Sequence, residues 1–159
     1  MSGQAGILIS HSSSRDLAAN GDQGPTAILL DELQRKLKSA GYDVLYDRQL
    51  RKGEEWRPEL HTWMGVCDAA VLLLSKAALE QSPWVLKEAT VFFWRRSLQR
   101  DFVVIPVLLP GISQSDLTKG NFAAVELNVL QAAIAKDTSD PADVARAAGQ
   151  SAPSSPTCA

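Results

Sequence analysis

The residues best placed to do chemistry cluster in the stretch Ser82-Pro83-Trp84-Val85-Leu86-Lys87-Glu88. Ser82 is suited to cap a helix by accepting a backbone N–H, and Pro83 suits the first helical position, where its missing donor is not needed. Trp84 and Glu88 then lie one helical turn apart and share a face. The remaining candidates sit at strand ends or in polar loops: Asp47, Trp56, Ser75 and the run His11-Ser12-Ser13. A glutamate on a helix face is ordinarily solvated, and a single tryptophan is more often core than a stacking platform. These residue types therefore leave a site and a structural accident both open.

Several familiar chemistries are excluded. There is neither a G-x-G-x-x-G turn nor a G-x-x-x-x-G-K loop, so no glycine cradle for a pyrophosphate is supported. A cation-dependent phosphoacceptor needs carboxylates after the first and third strands. The corresponding segments here read Ser10-His11-Ser12 and Leu74-Ser75. The histidines (His11, His61) and cysteines (Cys67, Cys158) lack metal-ligand spacing, so no metal site is expected. Cys67 ends an apolar helix face and reads as packing rather than as a nucleophile, and His61 as a surface or half-buried residue.

The elements that must position the candidates alternate between strand and helix. Ile7-Leu8-Ile9-Ser10 is a short apolar run of the kind buried on both faces, and 11–23 is a polar loop. A helix is expected from Gly24-Pro25-Thr26, with Leu29, Leu33 and Leu37 on one face and Gly41 beyond its end. A strand over 42–46, a charged loop from Asp47 to Arg57, and a helix from Pro58 through Leu60, Trp63 and Met64 follow. The run 69–74 is the cleanest buried strand, closed by Ser75, with 77–81 a connection to the helix that runs from Ser82 to about Leu98. A fourth strand is expected over 102–109. Pro106 in its middle cannot donate to a ladder, so a bulge or an unneeded N–H side is expected there. A fifth strand over 123–127 and a final helix over 128–136 complete the reading. Such alternation implies a parallel sheet with helices on both faces, whose ligands bind outside the carboxyl ends of the strands.

Length and composition bound the rest. The chain has 159 residues, enough for one domain. Its net charge of −2 gives no reason to expect a nucleic-acid partner. The two cysteines form no disulfide framework, there is no basic leader and no long apolar run, so a cytoplasmic setting without membrane contact is expected. Residues 138–159 are rich in Ala, Ser and Pro and read as a flexible linker or tail after a domain over 1–137.

Taken in order, these segments resemble a TIR (Toll/interleukin receptor homology) domain of the bacterial, NAD-cleaving kind. Ile7-Leu8-Ile9-Ser10-His11-Ser12 resembles the family's opening box, and the segment from Tyr46-Asp47-Arg48 to Glu55-Trp56 its BB loop. Cys67 to Ser75 resembles the third strand, Ser82 to Glu88 the S-x-W-x-x-x-E helix start, 102–107 the fourth strand and Val125-Glu126-Leu127 the last.

The resemblance implies an α/β, flavodoxin-like three-layer sandwich around a five-stranded parallel sheet. It implies an NAD+ glycohydrolase in which Glu88 is the catalytic carboxylate, NAD+ being substrate and no cofactor being needed. Nicotinamide leaves as a neutral group from a cationic precursor, so little acid catalysis is required. A single carboxylate can stabilise the oxocarbenium-like ribose and hold its hydroxyls. Asp47, Trp84, Trp56, His11, Ser12 and Ser75 are the implied substrate contacts. Trp84 has the alternative of fixing its helix on the sheet, Ser75 that of capping, and Trp56 that of burial in a neighbouring TIR domain. The implied partners are other copies, met through TIR–TIR contacts that include the BB loop, and a sensor domain linked through the tail. The implied role is a prokaryotic immune or toxin effector. The competing expectation is a non-enzymatic interaction module, an adaptor or a binder of other TIR domains; a nucleoside-ribosyl transferase is a third class.

Overall fold

Apolar runs without polar alternation become the strands of one parallel sheet. The structure is a computed structural model that describes residues 5–11, 25–46, 56–137, 140, 142, 143 and 146. Its elements are β1 (Gly6–Ser10), α1 (Pro25–Ser39), β2 (Asp43–Leu45), α2 (Trp56–Val66), β3 (Ala69–Leu74), α3 (Lys76–Gln81), α4 (Pro83–Leu98), β4 (Val103–Leu108) and β5 (Ala133–Ile134). The sheet has five strands in the order β2-β1-β3-β4-β5, every pair parallel. Chain order turns back between β1 and β3, because β2 lies on one side of β1 and β3 on the other. That is the switch point at which doubly wound sheets open a crevice at their carboxyl edge.

Each strand sends alternate side chains to opposite faces, and the core divides accordingly. Ala70, Leu72 and Leu74 of β3 meet Leu60 and Met64 of α2, Ala78 of α3, and Val85, Ala89 and Phe92 of α4. Ala69, Val71 and Leu73 meet Leu29, Leu30, Leu33 and Leu37 of α1. Each buried leucine contributes roughly 1.5–3 kcal/mol relative to exposure. Gly41, with φ of 91°, takes the left-handed conformation that ends α1.

Pro106 needs no bulge. The β3–β4 register runs unbroken from Ala69↔Val103 to Leu74↔Leu108. Leu109 N–H donates to Leu74 on the β3 side, whereas Leu108 accepts from Ala135 on the β5 side. By alternation Pro106 turns its nitrogen toward β5, whose pairing begins only at Val107↔Ala133.

Four expectations are corrected. Residues 123–127 are not a strand and 128–136 not a helix: the segment forms 3₁₀ turns over Gln114–Thr118, Gly120–Val125 and Leu127–Val129, and the fifth strand is Ala133–Ile134. Glu126 adopts φ of 58°, a left-handed conformation that no strand through 125–127 can contain. The spacing of Leu127, Leu130 and Ala133 mimics a helical period, but Leu127 and Leu130 bury one side of the sheet from a 3₁₀ turn and its end, whereas Ala133 buries the other from β5. The connection expected over 77–81 is instead α3, begun by Ser75. Helix α2 starts at Trp56, which leaves Pro58 inside the first turn, where no intrahelical donor is required.

Candidate functional site

Helix α4 begins as its sequence dictates. Ser82 caps it, its hydroxyl oxygen accepting the Val85 N–H at 3.3 Å, and Pro83 follows. The next turn places Trp84 and Glu88 one above the other, and the Trp84 indole N–H donates to Glu88 Oε1 at 2.7 Å. Glu88 lies on the inner side of the helix among Val85, Ala89 and Phe92 and is 3% exposed. Its second oxygen, Oε2, accepts a hydrogen bond from the hydroxyl of Ser10, the last residue of β1. The carboxylate is thereby fixed at the carboxyl end of β1, at the switch point of the sheet. A buried carboxylate is costly unless its oxygens find donors, and here a strand and a helix supply one each.

The other candidates fall as follows. His11 continues the chain from Ser10 and is buried. Ser75, buried at the end of β3, caps α3, with Ala78 N–H donating to its Oγ at 3.1 Å. The half-buried Trp84 carries the exposed His61 of α2 against its ring, centroids 5.8 Å apart at a tilt of 31°. Trp84 therefore does more than pack: its indole holds the carboxylate. Trp56 opens α2, and its side chain lies outside the described residues, as do Asp47 and Ser12. The structure thus brings Glu88 and Trp84 together with Ser10, which sequence reasoning passed over. The signal was a lone hydroxyl ending an otherwise apolar strand.

Among the described residues no group of His, Cys, Asp and Glu is arranged to hold a metal ion, and no helix is long and apolar enough to cross a membrane. Burial pushes the Cys67 thiol up to about 11, with Arg95 opposing, so at neutral pH it is not the thiolate a nucleophile requires. A separate open cleft of about 600 Å3 lies beyond β3 and β4, lined by Lys76, Glu80, Asp116, Lys119 and Asn121 among others; Glu88 is not part of it.

A doubly wound α/β domain with a doubly held, buried glutamate at its switch point is the class that fold and site define. The TIR-domain family model matches residues 7–141, so the chain belongs to the TIR-domain family. Solved structures agree on the fold. The chain is similar to the TIR domains of the activated Roq1 resistosome that recognises the pathogen effector XopQ (16% identity, 92% of this chain, 84% of that chain, TM-score 0.56). It is also similar to a metazoan TIR-STING receptor from C. gigas, solved with 2′,3′-cGAMP (22% identity, 92% of this chain, TM-score 0.56), of which it spans only 39%. No curated protein matches the chain.

Proposed function

We propose that this TIR domain is an NAD+ nucleosidase that cleaves the nicotinamide–ribose bond to give nicotinamide and ADP-ribose or a cyclic isomer. The observation that carries the reading is Glu88, a carboxylate buried at the switch point and held through both oxygens. Loss of nicotinamide leaves positive charge on the ribose C1′ and its ring oxygen. A fixed carboxylate stabilises that charge without reorganising at the moment of reaction, and its oxygens are suited to accept hydrogen bonds from the ribose hydroxyls. Water or an internal nucleophile of the substrate then takes the C1′ position. Asp47, Trp56, His11 and Ser12 are proposed substrate contacts, and no cofactor takes part. The setting we propose is a cytoplasmic immune or toxin effector of the bacterial kind, active when copies assemble and linked through residues 138–159 to a sensor domain.

The full chain, incubated with NAD+ with and without forced clustering, is expected to release nicotinamide, and Glu88→Ala is expected to release none above background. Undiminished release by that variant removes Glu88 from the mechanism, and no release by the parent under either condition removes the activity.

One observation favours the second reading, a non-enzymatic interaction module. Val91, Trp94 and Leu98 form an exposed apolar stripe on the outer side of α4, Trp94 being 65% and Leu98 80% exposed. That reading predicts self-association lost in Trp94→Ala and unchanged in Glu88→Ala.

A further inference from the structure

We propose that Ser10 is a positioning residue for Glu88, its hydroxyl setting the orientation of the carboxylate with respect to the sheet. The inference rests on the reading of Glu88 as the catalytic carboxylate. It begins with the strand. Ile7, Leu8 and Ile9 are buried and apolar, and Ser10, paired in register with Leu72 of β3, is only 2% exposed. A buried hydroxyl must be satisfied. Alternation puts Ser10 on the same face as Leu8, the face covered by α2, α3 and α4. There its hydroxyl meets Glu88 Oε2, a partner 78 residues away in the chain.

The two donors to Glu88 do different things. Trp84 belongs to the same helix, one turn earlier, so its hydrogen bond moves with α4 and sets nothing relative to the sheet. Ser10 belongs to β1, and its hydrogen bond joins the carboxylate to the strand whose end forms the crevice. The terminal torsion of a glutamate is broad and nearly two-fold. With one donor on each oxygen, from two elements, that torsion is locked. Held in this way, the carboxylate presents one orientation to a ribose hydroxyl. Ser10 itself need not touch substrate.

The test uses the full chain bearing Ser10→Ala, Ser10→Thr or Ser10→Cys, the last a close isostere with a weak donor. Nicotinamide release is measured under clustering, and the Trp84 indole ¹H–¹⁵N resonance, assigned with Trp84→Phe, is followed in each variant. Ser10→Ala is expected to lower kcat by about 10- to 100-fold, the effect of losing a hydrogen bond to a charged group. KM is expected to stay within about twofold, because orientation matters in the transition state rather than in ground-state binding. Ser10→Thr restores kcat to within about threefold of the parent, and Ser10→Cys falls between Ala and the parent. The Trp84 resonance shifts in the Ala variant and returns in the Thr variant. Parent-like kcat in Ser10→Ala overturns the proposal, as does an unmoved Trp84 resonance, or a folded Thr variant no better than Ala. A parent that releases no nicotinamide overturns the nucleosidase reading instead, and the resonance then still decides whether Ser10 holds Glu88.

Discussion

Helix α4 carries two charged side chains toward its neighbours, Glu88 and Arg95, and they are held in opposite ways. Arg95, in the last turn, donates from Nη1 to the carbonyls of Met64 at 2.8 Å and Cys67 at 2.9 Å. Its guanidinium also lies 4.0 Å from the centroid of the Phe102 ring, and Nη2 donates to Gln99. Those carbonyls are the groups α2 leaves without helical partners at its C-terminus. Arg95 thus completes the architecture: it caps one helix from another. Glu88 accepts from two side chains, the Ser10 hydroxyl and the Trp84 indole, and neither of these bonds closes a helix or a ladder. A charge that satisfies backbone groups is explained by the fold. One that draws polar side chains inward at a sheet's carboxyl edge is the feature on which the proposed function rests.

The contrast can be broken by experiment. Glu88→Gln should reduce nicotinamide release by more than about 100-fold, the usual scale for losing a charge-stabilising group. Its thermal midpoint should be unchanged or higher, since a buried charge is removed. A large fall in midpoint would place Glu88 on the architectural side with Arg95. Arg95→Met should do the reverse. Stability falls by about 2 kcal/mol as the α2 carbonyls lose their donor, read as a lower denaturant midpoint, while turnover per folded molecule stays within about twofold. Trp84→Phe keeps the ring and removes the N–H; kcat should drop about fivefold to tenfold. An unchanged rate would reduce Trp84 to packing.

The smallest effect concerns Cys67, which Arg95 also approaches, at 3.5 Å. Burial raises its folded value to about 11 from an ordinary 9.0. The sign follows from which state binds the proton more tightly. Below pH 9 both states hold the neutral thiol and this contribution is fully present; between 9 and 11 only the unfolded chain ionises, and stability declines. Urea midpoints should show that decline in the parent and lose it in Cys67→Ala, and Cys67 should resist alkylation at pH 8 until the chain unfolds.

Sequence alone made β1, β3, β4 and α4 legible, because long apolar runs and the Ser82-Pro83 start are local signals. It did not reach β5, a two-residue strand whose place depends on pairing with Val107 and Leu108. Nor did it reach α3, where Ser75 both ends a strand and caps a helix. Glu88 and Trp84 could be paired by helical spacing, whereas Ser10 could not, its partner being joined only by the folded sheet. Asp47 and Ser12, and the side chain of Trp56, fall outside the described residues.

Pro106 has a further consequence for how the molecule behaves in a crowded solution. Because β5 is only two residues long, the earlier part of β4 has no described strand alongside on that side. An intruding strand from another unfolding chain would look for a continuous row of donors there. The proline withholds one at the position just before β5 takes over. Pro106 is buried in the folded chain, so the missing donor matters when the layer over this edge opens, where it hinders edge-to-edge pairing with another chain.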